Sequence, residues 1–109
     1  MNKFLKLLFS VFLVLLLETS ISYSEETRIK VGVLAPLSGE NAPLGKQILN
    51  SIRMALIDIK NSNIEIYPKD TRSKPEITLR SALELEKMGI SLVIGPVFHK
   101  NLLFLDKVK

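Results

Sequence analysis

The stretch that comes nearest to a chemical motif is a glycine-containing loop with a lysine, residues 39–47. It follows an apolar run and precedes a helical pattern, where a phosphate-binding loop would lie. Such a loop needs four residues between its glycines and a hydroxyl residue after the lysine, because that hydroxyl binds magnesium. Here five residues separate Gly39 from Gly45, and Gln47 follows Lys46. The spacing argues against a nucleotide cofactor, and we expect the glycines to serve the turn.

Catalytic side chains are scarce. The chain has one histidine, His99, and no cysteine, so it lacks a thiol nucleophile, a disulfide framework and thiolate metal ligands. Glu84 and Glu86 lie two positions apart in a helical pattern and therefore point to different faces, which makes a poor acid–base pair. We expect no catalytic residues, no metal site and no cofactor, and hence no enzyme activity.

Hydrogen-bonding side chains collect instead where three predicted strands end. Ligands of open α/β sheets bind outside the carboxyl ends of the strands, and helix N-termini at that edge offer N–H groups to an anion. This rule selects six candidate ligand-binding residues: Ser38, Asn41, Asp70, Thr71, His99 and Asn101. A simpler role exists for each type, because Ser, Asn and Asp commonly cap loops and helices. A lone histidine is commonly a surface residue.

Strands and helices alternate in a way that would position these residues. The apolar run Arg28–Leu34 predicts a strand buried on both faces. Apolar residues at helical spacing over residues 44–59 predict an amphipathic helix. Two further strands are predicted at Ile64–Pro68 and Leu92–Ile94, the first of which ends in a proline that suits a strand end or a sheet edge.

Two more helices complete the pattern. Ser73 and Glu76 predict a capping box at the start of a helix that runs to Met88 and is followed by Gly89. Apolar spacing in residues 98–105 predicts a third helix. The order β-α-β-α-β-α predicts parallel strands with right-handed crossovers. We therefore expect an α/β fold, a Rossmann-like three-layer sandwich with a parallel sheet in which the first strand lies in the middle.

The N-terminus has the layout of a secretory signal peptide. Lys3 and Lys6 precede an apolar run at residues 7–17, and Ser22–Ser24 supplies small residues for a cleavage site. The run is shorter than the roughly 20 apolar residues that span a membrane. We expect a signal-peptide helix within residues 1–24 and a mature protein beginning near Glu25, with an uncleaved signal anchor as the alternative.

Composition agrees with an exported globular domain. Of 109 residues, 47% are hydrophobic, and 15 basic against 11 acidic side chains give a net charge of +4. The apolar share argues against wholesale disorder. The basic residues do not cluster along the sequence, so the charge does not favour a nucleic-acid partner. The absence of cysteine excludes a lipoprotein.

Four segments together carry a family resemblance: residues 29–39, Gly45 with the helix after it, Asp70-Thr71 and Val93–Pro96. In this order they are similar to type 1 periplasmic binding proteins, in particular to the leucine-binding-protein-like domain. The resemblance implies two Rossmann-like lobes that close on a ligand. Residues 25–109 would form the N-terminal part of the first lobe, truncated after three strand–helix units. We then expect exposed apolar surface on the third strand and a marginally stable or aggregation-prone chain.

The resemblance implies a function as well as a fold. It suggests an exported, non-catalytic ligand-binding domain, resembling the substrate-binding component of an ABC importer for amino acids or similar small polar solutes. The implied partners are that solute and an ABC permease. The implied location is the periplasm, with membrane contact only during export and no nucleic-acid partner.

The loop after the third strand favours a second branch of the same fold. Amino-acid binders commonly place small hydroxyl residues there, whereas this chain has Phe98-His-Lys-Asn101. Residues 70–75 and 95–101 are similar to the corresponding loops of penicillin-binding protein activators, which stimulate peptidoglycan synthases through protein contacts. The best-known activators are lipoproteins, unlike this chain. The alternative function is therefore regulation of peptidoglycan synthesis, with a peptidoglycan synthase as the partner.

Overall fold

Alternating strands and helices follow an N-terminal helix in the computed structural model, which describes residues 2–17, 27–60 and 63–108. The elements are α1 (Lys3–Leu17), β1 (Ile29–Ala35), α2 (Ala42–Ile59), β2 (Ile64–Asp70), α3 (Pro75–Lys87) and β3 (Leu92–Ile94), then two 3₁₀ helices, His99–Leu102 and Leu105–Lys107. The three strands and the two helices between them are those that the sequence predicts.

The three strands form one parallel sheet in the order β2-β1-β3. The register pairs Ile29 with Ile64 and Ala35 with Asp70 on one side of β1, and Val31 with Leu92 on the other. The central position of β1 is confirmed. Because parallel strands run in one direction, the loops that follow all three strands meet at a single edge of the sheet, where the candidate residues were sought.

The core lies around β1 and is closed mainly by α3. Leu34 of β1 and Leu85 of α3 are fully buried in one cluster, which Ala82 and Ile90 complete. The crossover from β1 to β2 through α2 and the crossover from β2 to β3 through α3 run in opposite directions across the sheet. Because both are right-handed, α2 and α3 lie on opposite faces. These are the three layers of the predicted sandwich.

Glycine lets α2 pack directly against the end of β1. A Cβ atom at Gly45 would overlap the backbone oxygen of Pro36, so no larger residue fits there. Leu49, one turn further on, is the other buried residue of α2. The close approach brings the first turn of α2 to the carboxyl end of β1.

The capping box predicted for the helix after β2 is wrong. The N-cap residue of α3 is Lys74, and no side chain caps that end of the helix. Ser73 instead has a left-handed backbone with φ 58°, and its Oγ accepts a hydrogen bond from Asn41 Nδ2 at 3.0 Å. A contact between two loops has therefore replaced the local cap. At the other end of α3, Gly89 has φ 73°, as expected after a helix.

The predicted third helix is replaced by two short 3₁₀ helices, with a turn between them at Leu103 and Phe104. Leu105 and Val108 both pack against the core cluster. The turn between the two 3₁₀ helices redirects the chain, which a single straight helix would not do. The partly buried side chains of Leu105 and Val108 pack on the core after that turn.

Helix α1 covers the apolar run of the predicted signal peptide. The predicted cleavage site at Ser22–Ser24 and the mature start near Glu25 lie outside the described residues, so export and cleavage stay predictions. No helix in the described ranges is both long and apolar enough to cross a membrane.

The two edges of the sheet differ in their protection. The edge strand β2 carries Glu65, Pro68 and Lys69, and charges and proline discourage pairing with a further strand. The opposite edge strand, β3, consists of Leu92, Val93 and Ile94, and Leu92 is 55% exposed. The exposed apolar surface expected on the third strand is confirmed.

We predict that the chain self-associates through β3. Leu92→Lys should raise the monomeric fraction in analytical ultracentrifugation, because a charge on an open edge opposes strand pairing. Met88→Lys is the matched control, since Met88 is also exposed but lies beyond α3 and outside the sheet. A chain that is monomeric without substitution and unfolds cooperatively would contradict the prediction.

Candidate functional site

Asp70, the last residue of β2, ties together the loops that follow β1 and β2. Its Oδ1 accepts hydrogen bonds from the backbone N–H groups of Leu37 at 2.9 Å, Ser38 at 3.3 Å and Arg72 at 2.9 Å. Its Oδ2 accepts one from the Ser38 hydroxyl at 2.5 Å. The parallel register sets Asp70 opposite Ala35, directly before the first loop. One carboxylate therefore holds both loops at the edge of the sheet.

These hydrogen bonds control the ionisation of Asp70. Partial burial raises the pKa of the carboxyl, but the bonds from Ser38 Oγ and from the N–H groups of Arg72, Leu37 and Ser38 outweigh it and lower the pKa below its ordinary value. Donors that point at an ionised oxygen stabilise the charged form. Asp70 is therefore a carboxylate at neutral pH, and its charge is already engaged inside the protein.

Thr71, Ser73 and Asn41 extend the same network. Thr71 is almost fully buried, its N–H donates to the Ala35 oxygen at 2.9 Å, and its Oγ1 accepts from the N–H of Ser73 at 3.3 Å. Asn41 reaches Ser73 from the start of α2. The structure thus brings together four of the six candidates, Ser38, Asn41, Asp70 and Thr71. Their contacts match the simpler capping role, and their ligand contacts stay a prediction.

Arg72 is a candidate that the sequence analysis overlooked. Its backbone is left-handed with φ 50°, and so is that of Ser73, a conformation that costs other residues than glycine about 1–3 kcal/mol. The hydrogen bonds that Asp70 and Thr71 accept from these two N–H groups offset that strain. The Arg72 side chain is 65% exposed, and its Nε lies 3.8 Å from Asp70 Oδ2. Its position two residues after the end of β2 could have identified Arg72 from the sequence as a candidate anion-binding residue.

Both helices that begin at this edge lack a side-chain cap. Asn41 is the N-cap residue of α2 and Lys74 that of α3, and neither makes a capping hydrogen bond. Uncapped N-termini expose N–H groups and a partial positive charge. Together with Arg72, they make this edge suited to a carboxylate or another anion.

His99 and Asn101 lie apart from this network. His99 is exposed at the start of the first 3₁₀ helix. Asn101 is 1% exposed in that same helix, which packs against α3, and neither atom of its side-chain amide has a hydrogen-bond partner. Within the described residues we find no hydrogen bond from either side chain to the Asp70 network. His99 stays accessible to a ligand, whereas Asn101 is enclosed.

No cluster of metal-ligating side chains occurs in the parts of the chain that the structure describes. A cavity of about 150 Å³ lies beside α3 and β3. It is lined mostly by apolar side chains, including Leu34, Ile90 and Val108, and contains none of the six candidates. The polar edge around Asp70 is therefore the best candidate for recognition of a polar solute.

A family model for periplasmic binding proteins matches residues 28–103, from just before β1 to just after the first 3₁₀ helix. The chain belongs to the periplasmic binding protein family. Membership confirms the resemblance found in the sequence and implies an extracytoplasmic location.

Solved structures support the same fold. The leucine binding protein LivK of Thermotoga maritima has a TM-score of 0.63 and 23% identity, over 69% of this chain and 23% of its own. A solute binding protein of an ABC transporter from Rhodopseudomonas palustris, in complex with 3,4-dihydroxybenzoic acid, has a TM-score of 0.58 and 32% identity, over 63% of this chain and 20% of its own. The structure is a partial type 1 periplasmic binding protein fold.

A regulator of a penicillin-binding protein is also among the structural neighbours. The C-domain of LpoA from Haemophilus influenzae, a regulator of PBP1A, has a TM-score of 0.59 and 28% identity, over 70% of this chain and 22% of its own. An uncharacterised protein of Methanocaldococcus jannaschii is 32% identical over 87 residues, which is 72% of this chain and 21% of that protein. The chain spans about a fifth to a quarter of the length of these proteins.

We predict that Asp70→Asn destabilises the fold at neutral pH by about 2 kcal/mol, because hydrogen bonds to a charged group are lost. The lowered pKa of Asp70 also sets the pH dependence. Its stabilisation is complete above the unfolded-state pKa of about 3.9 and is lost as the pH falls through the folded-state value. Urea unfolding at several pH values should show a weaker loss of stability in acid for the variant.

The matched control for this measurement is Asp58→Asn. Asp58 is an exposed carboxylate of α2 that forms no ion pair or hydrogen bond within the described residues. Equal destabilisation by both substitutions, or an unchanged acid profile in the Asp70 variant, would contradict a special role for Asp70.

Proposed function

We propose that this chain contributes a ligand-binding edge to an exported, non-catalytic solute receptor of an ABC importer. The proposed solutes are small carboxylates, amino acids included. The observation that carries the proposal is the pair of loops held by Asp70 between two uncapped helix starts. Family membership supports it, and so do two neighbours, one named for leucine and one in complex with a dihydroxybenzoic acid.

The chemistry of the edge supports a carboxylate as the first recognised group. The Asp70 oxygens already accept four hydrogen bonds. The Arg72 guanidinium is an exposed donor at this edge. The helix starts add few N–H groups, because Pro43 and Pro75 carry none and that of Ala42 is bonded within the loop before α2. Arg binds carboxylates well because its planar donors match their two oxygens.

Ser38 supports a second contact of opposite character. Its hydroxyl proton is directed to Asp70, so the oxygen keeps lone pairs for a donor. An ammonium or hydroxyl group of the solute would be a fitting donor. This pairing would suit both an amino acid and a hydroxylated carboxylic acid. Because the chain spans about a quarter of its solved relatives, their transport activity is applied to it here only as a proposal.

We predict that leucine, benzoate or 3,4-dihydroxybenzoate stabilises the protein in thermal-shift assays and binds in calorimetry. Arg72→Ala should weaken binding of the responsive carboxylate at least about tenfold, since one charge-assisted contact contributes about 1.5–3 kcal/mol. Arg80→Ala is the matched control, because Arg80 is an exposed cation of α3 away from the edge. If no carboxylate stabilises the protein, or if both variants bind equally weakly, the receptor proposal fails.

The second candidate function is activation of a peptidoglycan synthase. It is favoured by the likeness to LpoA and by the loop that carries His99, Lys100 and Asn101 in place of small hydroxyl residues. In that role the exposed Arg72 and His99 would contact protein. This function predicts that the protein captures a purified peptidoglycan synthase and shows no response to solutes. The double variant Arg72→Glu, His99→Glu should lose the capture. These results together would favour synthase activation over transport.

A further inference from the structure

One exposed side of α2 carries a basic stripe, which we define as Lys46, Arg53 and Lys60. The three residues are seven positions apart, and all are exposed. Seven residues bring a helix back to nearly the same angle, with a drift of about 20°. Lys60 is the C-cap residue that ends the helix. The stripe therefore runs along the length of α2, about 21 Å at 1.5 Å per residue.

The stripe is not neutralised by the protein. Among the ion pairs of the described residues, none includes a member of the stripe. The acid of α2, Asp58, is five positions from Arg53 and thus about 140° away around the helix axis. These three positive charges consequently face solvent without a counter-charge on their own face.

Helix α3 differs from α2, because its charged residues include several acids and one of these forms an ion pair. Its Glu84 pairs with Lys69 of β2 at 2.8 Å. That ion pair, together with nearby Arg80 and Lys87, lowers the pKa of Glu84. The cations of α3 are thus interleaved with carboxylates, as is common on a solvated helix. The contrast shows that the unpaired stripe is a property of α2 and not of every helix in this basic chain.

Two large apolar side chains lie beside the stripe. Met54 is 66% exposed and Ile57 is 73% exposed. The buried residues of α2 are Gly45 and Leu49, and Leu49 borders the stripe on its inner side. Met54 lies about 180° around the helix axis from Gly45 and about 140° from Leu49, so it is not needed for packing. Apolar side chains between unpaired cations are typical of a helix that binds at a membrane surface.

We propose that this face of α2 docks on the anionic phospholipid surface of a membrane. A bilayer offers negative charge at every spacing, so it fits a straight row of cations without matching partner carboxylates. It also accepts Met54 and Ile57 at the level of the headgroups, while Lys and Arg extend along the surface. An acidic protein would need carboxylates placed in register with the stripe, and no observation here calls for that register.

Co-sedimentation with lipid vesicles tests the proposal on the whole chain. The vesicles are phosphatidylcholine alone and an equal mixture of phosphatidylcholine and phosphatidylglycerol. The exposed apolar side chains of α1 would bind both kinds, so the measured quantity is the increase in binding caused by the anionic lipid. We expect an increase of about tenfold at low salt, and we expect high salt to abolish it because exposed charges are screened.

Charge reversal identifies the surface responsible. The triple variant Lys46→Glu, Arg53→Glu, Lys60→Glu should lose the anionic increase, whereas Lys74→Glu, Arg80→Glu, Lys87→Glu, with the same change in net charge, should keep it. The corresponding glutamine variants and helical circular dichroism exclude misfolding as the cause. Met54→Ser with Ile57→Ser should weaken binding to mixed vesicles and leave its salt dependence unchanged.

Each remaining outcome overturns the proposal. No anionic increase, or an equal loss in the two triple variants, would mean that α2 is not a lipid-docking face. Absence of the increase together with stripe-dependent binding to polyglutamate would assign the stripe to an acidic protein partner. The readout is independent of solute binding, so it also separates this proposal from the proposed receptor function.

Discussion

The geometry of the candidate edge depends on a single carboxylate. Asp70 gives hydrogen-bond acceptors to three backbone N–H groups and one hydroxyl, drawn from two loops that lie more than 30 residues apart in sequence. Without it, the part-buried N–H of Leu37 would lose its partner, which is costly. The exposed N–H of Arg72 would lose its partner as well. The left-handed turn at Arg72 and Ser73 would also lose the contact that offsets its strain. Asp70 thus holds the backbone turn that carries Arg72.

The position of Asp70 follows from the register of the parallel sheet. Two glycines allow the helices to pack closely on that sheet. A Cβ atom at Gly32 would come within 2.5 Å of Leu85, so α3 packs directly on the middle of β1. Gly45 does the same for α2 at the end of β1. With both helices pressed against the central strand, their N-termini open at the carboxyl edge, beside the Asp70 network. Packing in the core and polarity at the edge are therefore parts of one arrangement.

The sequence predicted correctly those features that depend on neighbouring residues alone. The strand β1, the spacing of α2 and the left-handed Gly89 follow from hydropathy and backbone preference, and the structure confirms them. Tertiary contacts decided the failures: Ser73 contacts Asn41 and does not cap α3, and Leu105 turns back to the core and does not continue a helix. The candidate edge follows from the rule that ligands bind at the carboxyl ends of parallel strands. That rule did not point to Arg72, because the candidates were limited to neutral hydrogen-bonding residues and Asp70. Whether a residue such as Asn101 is enclosed depends on distant packing that no local pattern contains.

The two proposed activities use different sides of α2, and this makes them compatible. The N-terminus of the helix lies at the candidate edge, whereas the basic stripe runs from Lys46 along one exposed side to Lys60. Lys46 is one turn beyond Ala42, where α2 begins, so its charge adds to the positive potential at the edge as well as to the stripe. Docking on an anionic surface would neutralise that charge and weaken the attraction for a carboxylate. If both proposals hold, a carboxylate would be bound less tightly when α2 is docked on the membrane than when it is free.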